Sequence, residues 1–375
     1  MALKLLDSIN LGYIWTRSLL PTYRRWHGKV KLGDIRVFYG FDTVPTPGEK
    51  AFGGIIKAQD LAKVFPNRPC GANILYLISS ALPYFAVRMA RLARRAGAGI
   101  VVNQNGVAYP GWFGQGWKRH NRPMRALLRL ADHVIYQSRF CKISADRFLG
   151  KPRCSWEILY NPVDTQTYIP PAGRQLSMRT PKLLIAGSHW SRYRPRVALE
   201  VLKRILPDYP RARLIIAGGL YWEKDQNKSR SQLINDMNRL GVAEYVDVLG
   251  PYSQVDAVGI FQRSDILLHT KYNDPCPRLV VEALACGLPV VYSATGGVPE
   301  LVGKHAGVGV PGKLDWQRDH PPDSVKMAEG VLKVLADRQT FAYAARRRAV
   351  ARFDGKPWLQ RHKTIFATIC SQGPG

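Results

Sequence analysis

Acid is scarce in this 375-residue chain: 27 Asp and Glu stand against 55 Lys and Arg, a formal net charge of +28. Such an excess points to an anionic partner or ligand, whether nucleic acid, acidic lipid, phosphorylated sugar or nucleotide. Cysteine is sparse too. Cys70, Cys141, Cys154, Cys276, Cys286 and Cys370 form no Cys-x-x-Cys pair, which argues against a zinc ribbon or disulfide framework and fits a reducing cytoplasm. No apolar run approaches the roughly 20 residues that a membrane span needs. The N-terminus lacks the continuous apolar centre and small-residue cleavage site of a secretory signal, so it is expected to stay on the chain. Short-period repeats and long low-complexity tracts are also missing.

What is there reads as two α/β domains. A content of 46% hydrophobic residues excludes a mainly disordered chain, and the length exceeds one comfortable core. "DIRVFYG", "NILYLIS", "AGIVVNQ" and "HVIYQS" read as strands separated by helical patterns in "GGIIKAQDLAKVF", "LPYFAVRMARLARRAG" and "RPMRALLRLA". The alternation restarts at "KLLIAGS" and continues through "RVALEVLKRILPDY", "ARLIIAGG", "SQLINDMNRLG", "YVDVLG", "DILLHT", "RLVVEALACG" and "PVVYSA". Alternating strands and helices imply parallel sheets covered by helices. The expected organisation is a basic amphipathic extension over 1–30, a first Rossmann-like domain over 31–165 and a linker over 166–181. A second Rossmann-like domain follows over 182–352, then a tail over 353–375 packing back on the first domain. The extension carries Lys4, Arg17, Arg24, Arg25 and Lys29 against Asp7, interleaved with Leu, Ile, Trp and Tyr. It reads equally as an interfacial membrane helix or as a segment docked on the domain behind it.

The stretch "DPCPRLVVEALACGLPVV" concentrates the chemistry. A strand ending near Thr270 is followed by a loop through Asp274, and Pro277 suits the first turn of a helix. That helix runs through Glu282 to about Cys286, where Gly287 stops it. Backbone amides of Cys276, Arg278 and Leu279 at its start suit a diphosphate, with Asp274 and Glu282 as acceptors for sugar hydroxyls at either end.

Asp274 and Glu282, followed by "ALACGLPVVYSATGGVPELVG", resemble the E-x7-E signature and the Gly-Gly-x-x-Glu loop of family 4 glycosyltransferases, retaining enzymes of the GT-B fold. "FGGIIKAQDLA", "ADHVIYQSRF" and "ILYNPVDTQTYIP" are similar to further family segments, and residues 35 to 355 are covered in order. The resemblance implies an α/β GT-B architecture, with two Rossmann-like domains facing across a cleft. It implies that Glu282 holds the ribose of a nucleotide-sugar donor, UDP- or GDP-linked, and Asp274 the hydroxyls of the transferring sugar. Gly53 and Gly54 would lie against donor phosphates or leave room for acceptor, and Gly296 and Gly297 would shape the loop beside the nucleotide. Ser188 stands where the family usually has a diphosphate-binding Arg, which leaves that task to Arg192 or Arg194. Asp replaces the first Glu of the signature, and "PCPR" replaces a Gly-rich loop. Where the family often places a His near the reacting carbon, this chain offers Asn105, with His120 as the other candidate. The implied reaction is a front-face transfer with retention, in which the leaving phosphate helps take the acceptor proton. It requires neither cofactor nor metal, and the sequence has no Asp-x-Asp pair to hold one.

Simpler roles suit several neighbours. Cys276 is a small residue supplying an amide, and Asn161 and Asp164 fix a turn. Arg88, Arg91 and Arg95 share one helix face, while residues 338–363 carry eight basic side chains against Asp354 alone. Each basic residue near an anionic bilayer contributes about 1 kcal/mol of attraction. The reading is therefore a cytoplasmic glycosyltransferase, peripheral on the inner face of the plasma membrane, acting on a surface glycan or lipid-linked acceptor, with no nucleic acid expected. Alternatives are a nucleic-acid-binding protein on an α/β scaffold, or a donor-binding relative without transferase activity.

Overall fold

The computed structural model describes residues 25–26, 30, 33–46, 53–172 and 180–372. Most of the extension over 1–30, part of the linker and the last three residues lie outside the described residues. The chain divides into two compact units. Unit 1 comprises residues 1–109, 113–159 and 356–375, and unit 2 comprises 110–112 and 160–355.

Unit 1 holds β1 (Val37–Phe38), α1 (Gly53–Ala62), β2 (Ile74–Ile78), α2 (Ala86–Arg95) and β3 (Gly99–Gln104). Past the short α3 (Pro110–Phe113), whose first three residues count with unit 2, unit 1 continues with α4 (Trp117–Leu130), β4 (His133–Tyr136), α5 (Arg139–Phe148) and β5 (Ser155–Ile158). The five strands pair in parallel in chain order. "ILYLI" and "HVIY" are buried throughout, as strands covered on both faces must be. One sheet face, carrying Val37, Tyr39, Ile74, Tyr76, Val101 and Ile135, packs against Ala58 and Leu61 of α1. The same cluster takes Trp358, Ile365, Phe366 and Ile369 from the last helix of the chain, α13 (Gly355–Gln372). A buried polar chain runs through this interface. His362 Nε2 lies 3.0 Å from the Tyr76 hydroxyl, Asn103 donates to that hydroxyl at 2.9 Å, and Gln137 donates to Asn103 at 2.5 Å.

Unit 2 contains β6 (Lys182–Ile185), α6 (Tyr193–Ile205), β7 (Arg213–Ala217), α7 (Gln226–Leu240), β8 (Val246–Gly250), α8 (Gln254–Gln262) and β9 (Ile266–His269). Then come α9 (Arg278–Ala285), β10 (Val290–Ser293), α10 (Val298–Val302), β11 (Gly307–Val310), α11 (Ser324–Ala336) and α12 (Arg338–Phe353). The six parallel strands run β8-β7-β6-β9-β10-β11. Numbered from the first strand of the unit, this is the 3-2-1-4-5-6 order of a Rossmann fold, and the order reverses between β6 and β9.

The structure sharpens several sequence expectations. Unit 2 takes up the chain at Tyr160, and part of the stretch read as linker is packed. Tyr168 is buried against Phe261, while its carbonyl and that of Thr165 accept from Arg346. The helix read from Arg122 begins at Trp117, with Pro123 inside it. The basic stretch 338–363 is a set of internal ties as much as a charged surface. Arg338 is buried on Asp265, Arg346 donates to the Tyr168, Ala285 and Thr165 carbonyls, Arg348 donates to the Glu300 and Leu301 carbonyls, and Arg361 pairs with Glu157.

Burial pushes His362 down to about 4, against the pull of the Trp358 carbonyl. A histidine depressed in the folded state takes up its proton more readily when unfolded. Its contribution is therefore intact above the unfolded value near 6.5 and is lost as pH falls toward 4, at up to about 1.4 kcal/mol per pH unit. In His362→Gln, which keeps a partner for Tyr76, urea unfolding between pH 6.5 and 4 should show a shallower loss of stability than wild type. Parallel profiles would remove the protonation of His362 as a cause.

Candidate active site

In an open α/β sheet the crevice lies beyond the strand C-termini where the order reverses. In unit 2 that point is formed by the loop after β6, residues 186–192, and the loop after β9, residues 270–277. Its floor depends on glycine. Gly187 and Gly218 have φ of +93° and +114°, and a Cβ on Gly218 would sit 2.0 Å from the Gly187 carbonyl oxygen. The two loops therefore meet backbone to backbone. His189 below them is fully buried, lies 3.1 Å from the Ala217 carbonyl through Nε2, and is pushed down to about 3 by burial and then by Arg194.

Asp274 is buried, and its Oδ2 lies 3.2 Å from Lys271 Nζ and 3.2 Å from His269 Nε2. Burial alone would raise its pKa. Lys271, His269 and Arg194 together overcome that and hold it well below the usual carboxylate range, so Asp274 is ionised. Arg194, near the start of α6, is buried as well. Its Nη1 donates to the Ser188 carbonyl at 2.6 Å, its own carbonyl accepts from Thr270 at 3.0 Å, and its Nε is buried without a protein acceptor.

Asn273 adopts φ +48°, turning the chain so that its N–H meets Thr295 Oγ1 at 2.9 Å and its side chain reaches the Asp315 carbonyl at 3.2 Å. The loop after β10 closes on the same backbone: Gly297 N–H donates to the Asp274 carbonyl at 2.8 Å. Gly296 has φ +72°, and a Cβ there would sit 2.4 Å from the Asp274 carbonyl oxygen. Pro277 forms the N-cap of α9 with φ −70°, and Gly287 ends the segment at φ +72°. Leu279 reaches back to the Gly187 turn. Glu282, buried one turn further on, accepts from Arg278 Nε at 2.8 Å. Tyr252 bridges this end of the site, its hydroxyl bonded to the Gly187 backbone and its ring beside Glu282, whose charge adds to burial in raising the Tyr252 pKa. Cys276 is held by Asn161, which donates to its carbonyl at 2.7 Å.

Of the residues read from sequence, Ser188, Arg194, Asp274, Cys276, Arg278, Leu279, Glu282, Gly296 and Gly297 thus gather around one crevice. Arg192 turns away, in a bidentate pair of 2.9 Å bonds with the buried Asp236 of α7. The remaining residues belong to unit 1. Gly53 opens α1, and a Cβ on Gly54 would meet Ser80 and Ala81 at 2.7 Å. Asn105 follows β3 and takes a 2.8 Å bond from its N–H to Ser79 Oγ, so Gly54 and Asn105 adjoin the same 79–81 turn. His120 is exposed on α4, its ring 4.4 Å from that of Phe113. Sequence reading missed His269, Lys271, Tyr252 and Asp319. The last is pushed up to about 6 by burial, against the pull of Lys271 and His320, and its charge reaches Tyr193 and Tyr272. Lys271 and His269 flank Asp274 in "HTKYND" and were legible by proximity, whereas nothing local marks Asp319 or Tyr252.

Residues 173–348 match the glycosyl transferases group 1 family. The match spans nearly the whole of this crevice. Among curated proteins, the D-inositol 3-phosphate glycosyltransferase of Mycolicibacterium gilvum is 34% identical over 154 residues, 41% of this chain and 33% of that protein. Its Mycobacterium marinum namesake is 30% identical over 150 residues, 39% of this chain and 31% of that protein. The chain spans about a third of the length of the curated relatives it matches. Among solved structures, HepE of Anabaena in complex with UDP superposes with a TM-score of 0.64 at 23% identity, covering 79% of each chain. Sucrose-phosphate synthase of Thermosynechococcus elongatus gives 0.66 at 17% identity, covering 85% of this chain and 77% of that one. These likenesses show the fold, GT-B, with two Rossmann-like parallel-sheet units.

Gly296→Ala should cost at least about 1 kcal/mol in chemical denaturation, because a side chain must adopt positive φ against the Asp274 carbonyl. Wild-type stability in that variant would mean that the loop after β10 is not held against Asp274.

Proposed function

We propose that the protein is a retaining glycosyltransferase of the family 4 type, moving a sugar from a UDP- or GDP-linked donor to a surface glycan or lipid-linked acceptor. The observation that carries this reading is Arg194: a buried guanidinium with an unsatisfied Nε, beside the ionised Asp274, at the point where the strand order of a Rossmann sheet reverses. A buried donor without an acceptor suits an anionic oxygen, and the start of α9 adds backbone amides and a helix dipole on the same side. Glycosyltransferase activity is supported by the family match and by the names of the partial relatives, and the donor class by neighbours solved with UDP or UDP-glucose.

In this reading Asp274 and Glu282 form the acidic pair of the E-x7-E type, with Asp in the first place. Glu282 has acceptor capacity beyond its bond to Arg278 and would take the ribose hydroxyls. Asp274, fixed as a carboxylate by Lys271, would accept from hydroxyls of the transferring sugar. Arg194 and the start of α9 would stabilise the departing diphosphate, the charge that grows in the transition state. That phosphate would draw the acceptor proton on the same face, giving retention without a protein nucleophile or a metal. Arg192, committed to Asp236, is left a structural part. Gly54 and Asn105 would serve the acceptor side, and the anionic inner face of the plasma membrane would be the place of work.

The test is a thermal-shift panel of nucleoside diphosphates and nucleotide sugars on wild type, Glu282→Ala and Arg194→Gln, followed by transfer assays with the stabilising donor. One nucleotide family should stabilise wild type, and both variants should lose most of that shift. Absence of any nucleotide shift, together with tight and salt-sensitive RNA or DNA binding, would overturn the reading.

A further inference from the structure

Much of the positive charge of unit 1 lies on two helices that are neighbours. Both α2 and α4 join consecutive parallel strands, so they run alongside each other in the same direction. Arg94 of α2 donates to the Leu130 carbonyl at 3.2 Å, which sets their C-terminal ends together. On α2 the buried residues are Ala86, Met89, Ala90 and Ala93, and the opposite face is Arg88, Arg91 and Arg95. On α4 the buried residues are Asn121, Met124, Leu127 and Leu128, and the opposite face carries Lys118, Arg122, Arg125 and Arg129 at i, i+4, i+7 and i+11. Neither helix contains an acidic residue. Among the described residues Arg88, Arg91, Arg95, Arg122 and Arg129 are exposed and have no carboxylate partner.

Aromatic side chains mark one end of this face. Tyr84, at the entry to α2, is 76% exposed, and Phe113, at the entry to α4, is 41% exposed. At the other end the Val30 N–H donates to the Ala96 carbonyl at 2.7 Å, one residue beyond Arg95. The contrast with α12 and α13 is informative. There Arg338, Arg346, Arg348 and Arg361 are spent on carbonyls and carboxylates, whereas on α2 and α4 Arg88, Arg91, Arg95, Arg122 and Arg129 stay exposed and, of the outward row, Arg125 donates to the Phe148 carbonyl at 2.9 Å.

We infer that the outer face of α2 and α4 in unit 1 is a docking surface for an anionic lipid bilayer. A broad helical face of long, aliphatic-stemmed cations with aromatics at its rim matches the chemistry of lipid headgroups above an acyl layer. A nucleic acid would be served better by aromatics interleaved with the charges, to stack on bases. The inference rests on the proposed function only in what it adds, a lipid-linked acceptor delivered beside unit 1; the docking stands or falls by itself.

The experiment is sedimentation of the full chain with phosphatidylcholine vesicles, alone or with about a third phosphatidylglycerol. Three charge variants are compared with wild type: Arg88→Gln with Arg91→Gln and Arg95→Gln, Arg122→Gln with Arg129→Gln, and the control Arg347→Gln with Arg352→Gln on the exposed side of α12. Wild type should bind only the anionic vesicles, the first two variants should lose at least about tenfold in partition, and the control should lose less than about twofold. Equal losses in all three would reduce the effect to net charge and overturn the assigned face. Wild type that ignores the vesicles but binds RNA, with the α2 and α4 variants losing that binding, would hand the face to nucleic acid. Nucleotide thermal shifts on the same variants separate the two failures, since docking can fail while the donor site stays intact, and the reverse.

Discussion

Beside β6 the connections of unit 2 leave in opposite directions, one toward β7 and β8, the other toward β9, β10 and β11. No crossover covers the point of divergence, so the loops there must build their own walls, and the rest of the site follows from how they do it. They do it with backbone: Gly218 against Gly187, and Gly296 against Asp274, each at a distance a side chain would forbid. That closeness carries Asp274 out of water and into a setting where its charge survives only because Lys271, His269 and Arg194 surround it.

Positive charge in this protein has at least three structural fates. Some of it is buried as connection, as with Arg338 on Asp265 and Arg346 on three carbonyls. Some is gathered at the crevice, where Arg194 and Lys271 act on one carboxylate. The remainder is displayed, most coherently on α2 and α4. Net charge alone cannot separate these fates, because they differ in what surrounds each side chain and not in what the side chain is.

The fold was legible in sequence where apolar runs were long and bounded. The strands "ILYLI", "GIVVNQ" and "ILLH" lie within the segments that read as strands, and the Rossmann character followed from their alternation with helices. Short or amphipathic elements escaped. β5 is four residues, two exposed and two half-buried, and α5 begins at Arg139 behind a Ser138 cap that a single serine does not announce. The crevice was half legible. Asp274, Glu282 and the glycines stand in one contiguous stretch, and Arg194 could be narrowed to two candidates. Choosing between them needed Asp236, 44 residues beyond Arg192, and Asp319 and Tyr252 reach the site only through long-range packing.

The last helix has a consequence for how the protein comes into being. Residues 160–355 form a continuous piece of unit 2, whereas unit 1 is closed by residues 356–375, and the sheet face carrying Val37, Tyr76 and Val101 waits for Trp358, Phe366 and Ile369. Domains emerging from the ribosome ordinarily fold in the order of their synthesis. Here the first unit begun is the last that can be finished: its apolar face stays open while unit 2 forms, until the residues of α13 are made and close it. A nascent chain of this design presents an unfinished β-sheet until then, and a truncation ahead of Trp358 would be felt at the opposite end of the sequence, in the core around Val37 and Tyr76.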